Sequence, residues 1–216
     1  MTDQFLDIRG GGIDFGKNIV KMHPKLKTAL SRPDERKKII KSYFHSYYVS
    51  HAKEMDAKIE AIKNAWRKKE DAYVLATEKY FGGFSFPAGK YIAYASVVNC
   101  NPRFLDSKTF QFFYKKTMPD AIHTIAHELL HFIFFDFVEK EMKEDIEKLS
   151  EDQLWDLSEI FNVILLRSPQ YQGIIDSKQV RAYPDHEPYL KKFDQAHSQA
   201  KSARDFITRG VVIIKK

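Results

Sequence analysis

The sequence predicts an α+β fold in which a helical N-terminal region leads into a small mixed or antiparallel sheet and two further helices. Three observations carry this expectation: apolar residues at helical spacing before residue 81, two short aromatic and β-branched runs between 91 and 114, and capped apolar stretches after 117. With 216 residues, 44% hydrophobic and 30% charged, the chain is long enough to bury a core. Its 9 glycines and 8 prolines exclude collagenous, low-complexity and wholly disordered classes.

Residues 1–32, with Gly10, Gly11, Gly12 and Gly16, read as a flexible lead-in with little to pack. Gly11 to Asn18 approaches a phosphate loop, but Asn18 stands where that loop needs Ser or Thr. Residues 33–82 form a basic helical region. Ile40, Phe44, Tyr48, Met55, Ile59, Ile62 and Trp66 recur near the helical period, which predicts one long helix or two shorter ones stopped by Gly82-Gly83. Residues 17–80 carry sixteen Lys or Arg against eight acids. Because Glu54 with Lys58 and Glu60 with Lys63 interleave the signs, a solvated helix face is the better reading and nucleic-acid binding is not expected.

Residues 83–216 hold the rest, expected to form one compact unit with 33–82. Strands are predicted at 91–98 and 109–114, joined by turn residues Asn99, Asn101-Pro102 and Asp106-Ser107, so the two strands are expected to be neighbours. Thr117, Pro119 and Asp120 open a helix that runs to about Met142. Ser150 and Gln153 form a capping box, with Leu149 and Leu154 as a hydrophobic staple, for a second helix ending near Arg167. An aromatic turn, Tyr183-Pro184-Asp185-His186, and a late strand at Val211-Val212-Ile213-Ile214 complete the chain.

Residues 127–131 read His-Glu-Leu-Leu-His inside the first of these helices. Two histidines four apart stack on one helix face, so both imidazoles can converge on one metal ion with Glu128 beside it. Ile122, Ile125, Leu129 and Phe132 lie about half a turn away and serve as the packing side. His123 pairs with His127 at the same spacing, but eight residues rise about 12 Å, too far for one ion to bind all three. Only the lower pair places Glu128 between ligands, which leaves His123 as pocket wall or as a residue supporting the ligands from behind. Catalytic zinc also needs a third protein ligand. Phe134 and Phe137 occupy the positions where metzincins carry Gly and His, and Cys100 lacks the surroundings of a deformylase ligand. On the second helix Asp152, Asp156, Glu159 and Asn162 form a stripe, in which Glu159 sits among apolar neighbours and is the best candidate, with Asp156 next.

From His127 to Glu159 the sequence resembles the gluzincin clan of zinc metallopeptidases, in its compact single-domain forms, the minigluzincins. The likeness covers about residues 90–166. It implies a zincin-like fold, Zn2+ held by His127, His131 and Glu159, and Glu128 as general base. It departs where many gluzincins have Asn before the ligand Glu and Asp four after it, since Ser158 and Val163 stand there; Asn162 is the available substitute. The resemblance also calls for a Tyr or His to stabilise the oxyanion, for which Tyr183 and His186 are candidates; the same turn reads equally as a surface Tyr-Pro turn with a solvated His.

The expectation is therefore a zinc-dependent peptidase acting on a peptide or protein substrate, extended along an exposed sheet edge. The alternative is a non-catalytic zinc-binding regulatory or adaptor protein that uses the basic helical arm to bind a partner. The opening Met1-Thr2-Asp3-Gln4 has no basic or apolar leader, no stretch approaches a membrane span, and a single cysteine forms no internal disulfide, so a cytoplasmic protein without a membrane is expected.

Overall fold

The computed structural model describes residues 6, 7 and 9–215; the opening Met1 to Gln4 lies outside them. The fold is α+β and mostly helical. A hairpin of β1 (Arg9–Gly10) and β2 (Ile13–Asp14) leads into α1 (Phe15–Met22), α2 (Lys27–Leu30), α3 (Arg36–Arg67) and α4 (Glu70–Tyr80). The sheet strands are β3 (Ile92–Ser96), β4 (Arg103–Phe104) and β5 (Thr109–Phe113). After them come α5 (Met118–Glu141), α6 (Lys143–Ile146), α7 (Glu151–Arg167), α8 (Glu187–Gln199) and α9 (Ala203–Ile214).

Local chemistry accounts for the helix ends. Thr117 caps α5 by accepting from the Asp120 N–H, with Pro119 in the first turn. The Ser150 and Gln153 side chains each bond the other's backbone N–H, at 3.2 and 3.0 Å, to start α7. Gly82 and Gly83, at φ 71° and 92°, close α4 by donating to the carbonyls of Lys79 and Glu78 at 3.1 and 2.8 Å. The sheet order is β3-β5-β4, with β3 parallel and β4 antiparallel to β5, in the register Ile92↔Thr109 and Arg103↔Phe110. Phe110 and Phe112, alternating on β5, bury themselves in the main core with α5 and α7. α3 belongs to two apolar clusters: Ile62 and Trp66 join the main one, whereas Ile40, Phe44 and Met55 join a second with the N-terminal helices and Val97, Val98 and Tyr114.

Three expectations are corrected. Much of the supposed lead-in is packed structure, because Ile19, Leu26 and Ala29 are fully buried and His23 bonds Tyr43 and the Val97 carbonyl. The late run 211–214 is helical: with Ser202 as cap, Phe206, Ile207, Gly210, Val211 and Ile214 recur at helical spacing and are buried, while Val212 is exposed. Finally, α5 is long and apolar enough to cross a membrane by length and composition, yet 83% of its most apolar 18-residue window is buried inside the protein, as in a core helix.

Candidate metal centre

α5 and α7 pack face to face, with Phe134 and Phe161 rings 5.0 Å apart. Above this contact His127, His131 and Glu159 come together, with one ligand atom of each lying within 4.8 Å of the others. The His127 and His131 Nε2 atoms are 3.1 Å apart. Glu159 places Oε2 3.0 Å from His127 Nε2 and Oε1 3.3 Å from His131 Nε2. Ligands each about 2.0–2.1 Å from a tetrahedral zinc stand about 3.3 Å from one another; the nitrogen–nitrogen separation and the two nitrogen–oxygen separations, which end on different oxygens of Glu159, are close to that value, and two imidazoles with one carboxylate are a donor set that zinc accepts. Asn162, fully buried one turn beyond Glu159, donates from Nδ2 to the His127 carbonyl at 3.1 Å. It thus ties α7 to the backbone of α5 rather than orienting an imidazole. Among the described residues the Nδ1 atoms of both histidines have no hydrogen-bond partner.

Electrostatics separate the two glutamates. Burial alone would raise Glu159, but the imidazoles of His131 and His127 outweigh it and hold the carboxyl well below the usual range. Burial pushes Glu128 up to about 7, with His127 and Arg103 opposing. Its Oε2 is buried without a hydrogen-bond partner among the described residues. His131, lowered to about 3 by burial and then by Arg103, is a neutral imidazole, the form in which histidine binds metal. His127 goes the other way, because Glu159 overcomes the effect of burial.

Glu128 faces a cleft of about 380 Å³ whose walls include Asn99, Asn101, His123, Glu159 and Tyr183. His123, its ring 5.8 Å from that of His127, is a wall residue outside the three-atom cluster and is held near 3, chiefly by burial. Tyr183 packs against Trp155, tilted, and His186, edge-on, with ring centroids at 5.3 and 5.5 Å, and burial raises its phenol so that it keeps its proton. His186 is 1% exposed, which corrects the picture of a solvated His. Its Nε2 bonds Asp156 Oδ1 at 2.8 Å, so Asp156 is occupied away from the cluster and His186 supports the Tyr183 turn.

Sequence reasoning missed Arg103. From β4 its Nη1 reaches Glu159 Oε1 at 2.9 Å, and its guanidinium lies over Phe135 at 5.5 Å. An arginine after Pro102 in a two-residue strand gives no local signal of this pairing. The glycines of the hairpin are packed rather than loose chain: Gly11 lies against the Tyr183 ring, where a Cβ would stand 2.5 Å from Cδ1. Comparison with protein-family models, curated proteins and solved structures gives no match, so the reading of the site rests on its own residues.

Proposed function

We propose that the chain is a zinc-dependent peptidase with a zincin-like arrangement, in which His127, His131 and Glu159 hold Zn2+. The observation that supports this best is the convergence of those three ligand atoms with a buried Glu128 at a cleft, its Oε2 without a hydrogen-bond partner among the described residues. Bound zinc would supply Lewis acidity and a water of lowered pKa. Glu128, poised near neutrality, takes a proton from the attacking water and delivers it to the leaving amine. Tyr183 keeps its proton and can donate to the developing oxyanion from the cleft wall. Arg103 engages Oε1 of Glu159 and leaves Oε2 turned to His127. An extended peptide would run along residues 99–104, where Asn99 and Asn101 line the cleft and β4 is the edge strand of the sheet among the described residues.

Zinc content of purified protein and of His127→Ala, measured beside peptide cleavage with and without chelator, tests the reading. About one zinc per chain, lost in the variant together with cleavage, is expected. One observation favours the second reading, a zinc-binding regulatory or adaptor protein: the side chains of His131 and Glu159 are 0% and 3% exposed, and Arg103 already occupies one Glu159 oxygen. Stoichiometric zinc with no turnover on a proteome-derived peptide mixture would select it.

A further inference from the structure

Charge is concentrated in one part of this chain. Residues 15–41 carry nine Lys or Arg against two acids, a net +7, so the remainder sums to −1 within the total of +6. That segment folds into a single knob, in which α1, α2, the short turns Pro24–Leu26 and Pro33–Glu35 and the start of α3 pack on one another around Ile19, Leu26 and Ile40. Seven exposed lysines from Lys17 to Lys41 have no salt bridge among the described residues. Both arginines of the knob are paired, Arg32 with Glu35 at 3.3 Å and Arg36 with Asp7 at 2.9 Å. Met22 and Leu30, at the ends of α1 and α2, stand 37% and 47% exposed; Met22 follows Lys21 in the chain, and Leu30 borders a surface cleft lined also by Lys17, Arg9, Asp7 and Asp14. Farther along α3 the signs do interleave, as in the 3.1 Å pair Lys63 with Glu60.

We propose that this knob docks the protein on an anionic phospholipid surface, with the lysines against the headgroups and Met22 and Leu30 in the headgroup–acyl boundary. The unpaired cations are all lysines, which act as point charges toward a dense anionic surface and lack the guanidinium fork that reads bases. The two apolar side chains choose between occupants: a phosphodiester backbone has nothing for them, whereas an interface takes up lysine and apolar side chains together. The inference does not depend on the metal centre.

Cosedimentation of the full chain with phosphatidylcholine vesicles, with and without phosphatidylserine, tests it. Binding is expected only with phosphatidylserine, and it should fade with salt as the screening length falls from about 10 Å at 0.1 M to about 3 Å at 1 M. Lys17→Gln, Lys21→Gln, Lys37→Gln and Lys41→Gln combined should weaken binding by several hundredfold, at about fivefold per lysine. Met22→Ser with Leu30→Ser should weaken it roughly tenfold at an unchanged salt slope. Circular dichroism checks the fold of each variant. If the quadruple variant is misfolded, Lys21→Glu and Lys41→Glu singly, with the wild-type salt series, decide. Equal binding to neutral vesicles overturns the proposal, as does tighter binding to duplex DNA or RNA. So does salt-sensitive self-association without vesicle binding, in which the knob would meet the stretch 139–159, nine acids against three lysines, of a second copy.

Discussion

Glu128 and Glu159 are both buried, yet their surroundings move their proton affinities in opposite directions. Glu159 is surrounded by two imidazoles and a guanidinium and stays ionised, as a ligand must; Glu128 has no hydrogen-bond partner on Oε2 among the described residues and sits at about 7, where a group can take up and release a proton. Glu128→Gln keeps the side-chain shape, so zinc content should be unchanged while cleavage falls about a hundredfold to ten-thousandfold. Near-normal cleavage by that variant would defeat the hydrolytic reading. Glu159→Gln should weaken zinc binding by orders of magnitude in a chelator titration, because it removes one ligand charge and leaves Arg103 unpaired. Asp156→Asn should leave affinity nearly intact, since Asp156 faces His186 instead. The opposite ranking would move the third ligand one turn toward the start of α7.

At the scale of elements, the site stands or falls with the seating of α7, which holds α5 on one side and α8 and α9 on the other. Gly210 lets α9 approach closely: a Cβ there would meet Leu157 Cδ1 at 2.6 Å and Phe193 at 3.0 Å. Gly210→Ala should therefore destabilise. The gain of up to about 1 kcal/mol in helix propensity is smaller than the ~1–3 kcal/mol of overpacking. A urea midpoint at or above wild type would show that the helices shift to admit the methyl. Ser150→Ala removes the N-terminal cap of α7 and should cost about 1 kcal/mol in that assay, since the N–H of Gln153 loses its acceptor.

Across the whole molecule, His23 joins the N-terminal knob to the rest. It is 2% exposed, with Nδ1 2.8 Å from the Tyr43 hydroxyl and Nε2 2.8 Å from the Val97 carbonyl, an arrangement that suits a neutral ring donating from Nε2. Burial lowers its pKa below 6.5, and so the folded state binds fewer protons than the unfolded one in the window beneath that value. Stability from His23 is then fully present above about pH 6.5 and is lost as pH falls, with a slope of up to about 1.4 kcal/mol per pH unit. His23→Gln should be less stable at neutral pH, having lost ring contacts with Tyr43, Phe44 and Tyr47, but should show a flatter decline between pH 6.5 and 5 on the order of one proton fewer. An unchanged slope in urea titrations across that range would place the acid sensitivity elsewhere.

What the sequence by itself determined is what short-range physics encodes. The caps at Thr117 and Ser150 act within one turn, the stop at Gly82-Gly83 follows from left-handed backbone, and stacking of His127 on His131 follows from helical spacing. The nearness of Glu159 was legible because an acid among apolar neighbours on an amphipathic helix turns toward whatever that helix packs on. Only the tertiary structure decided the parallel pairing of β3 with β5, the burial of His186 on Asp156 and the reach of Arg103 to Glu159 across 56 residues. It also decided that a β-branched run becomes the end of α9 and that glycine-rich chain near the N-terminus packs against Tyr183. In each of these cases the deciding contact lies on an element distant in sequence. Burial against that element outweighs a local preference worth about 1 kcal/mol or less.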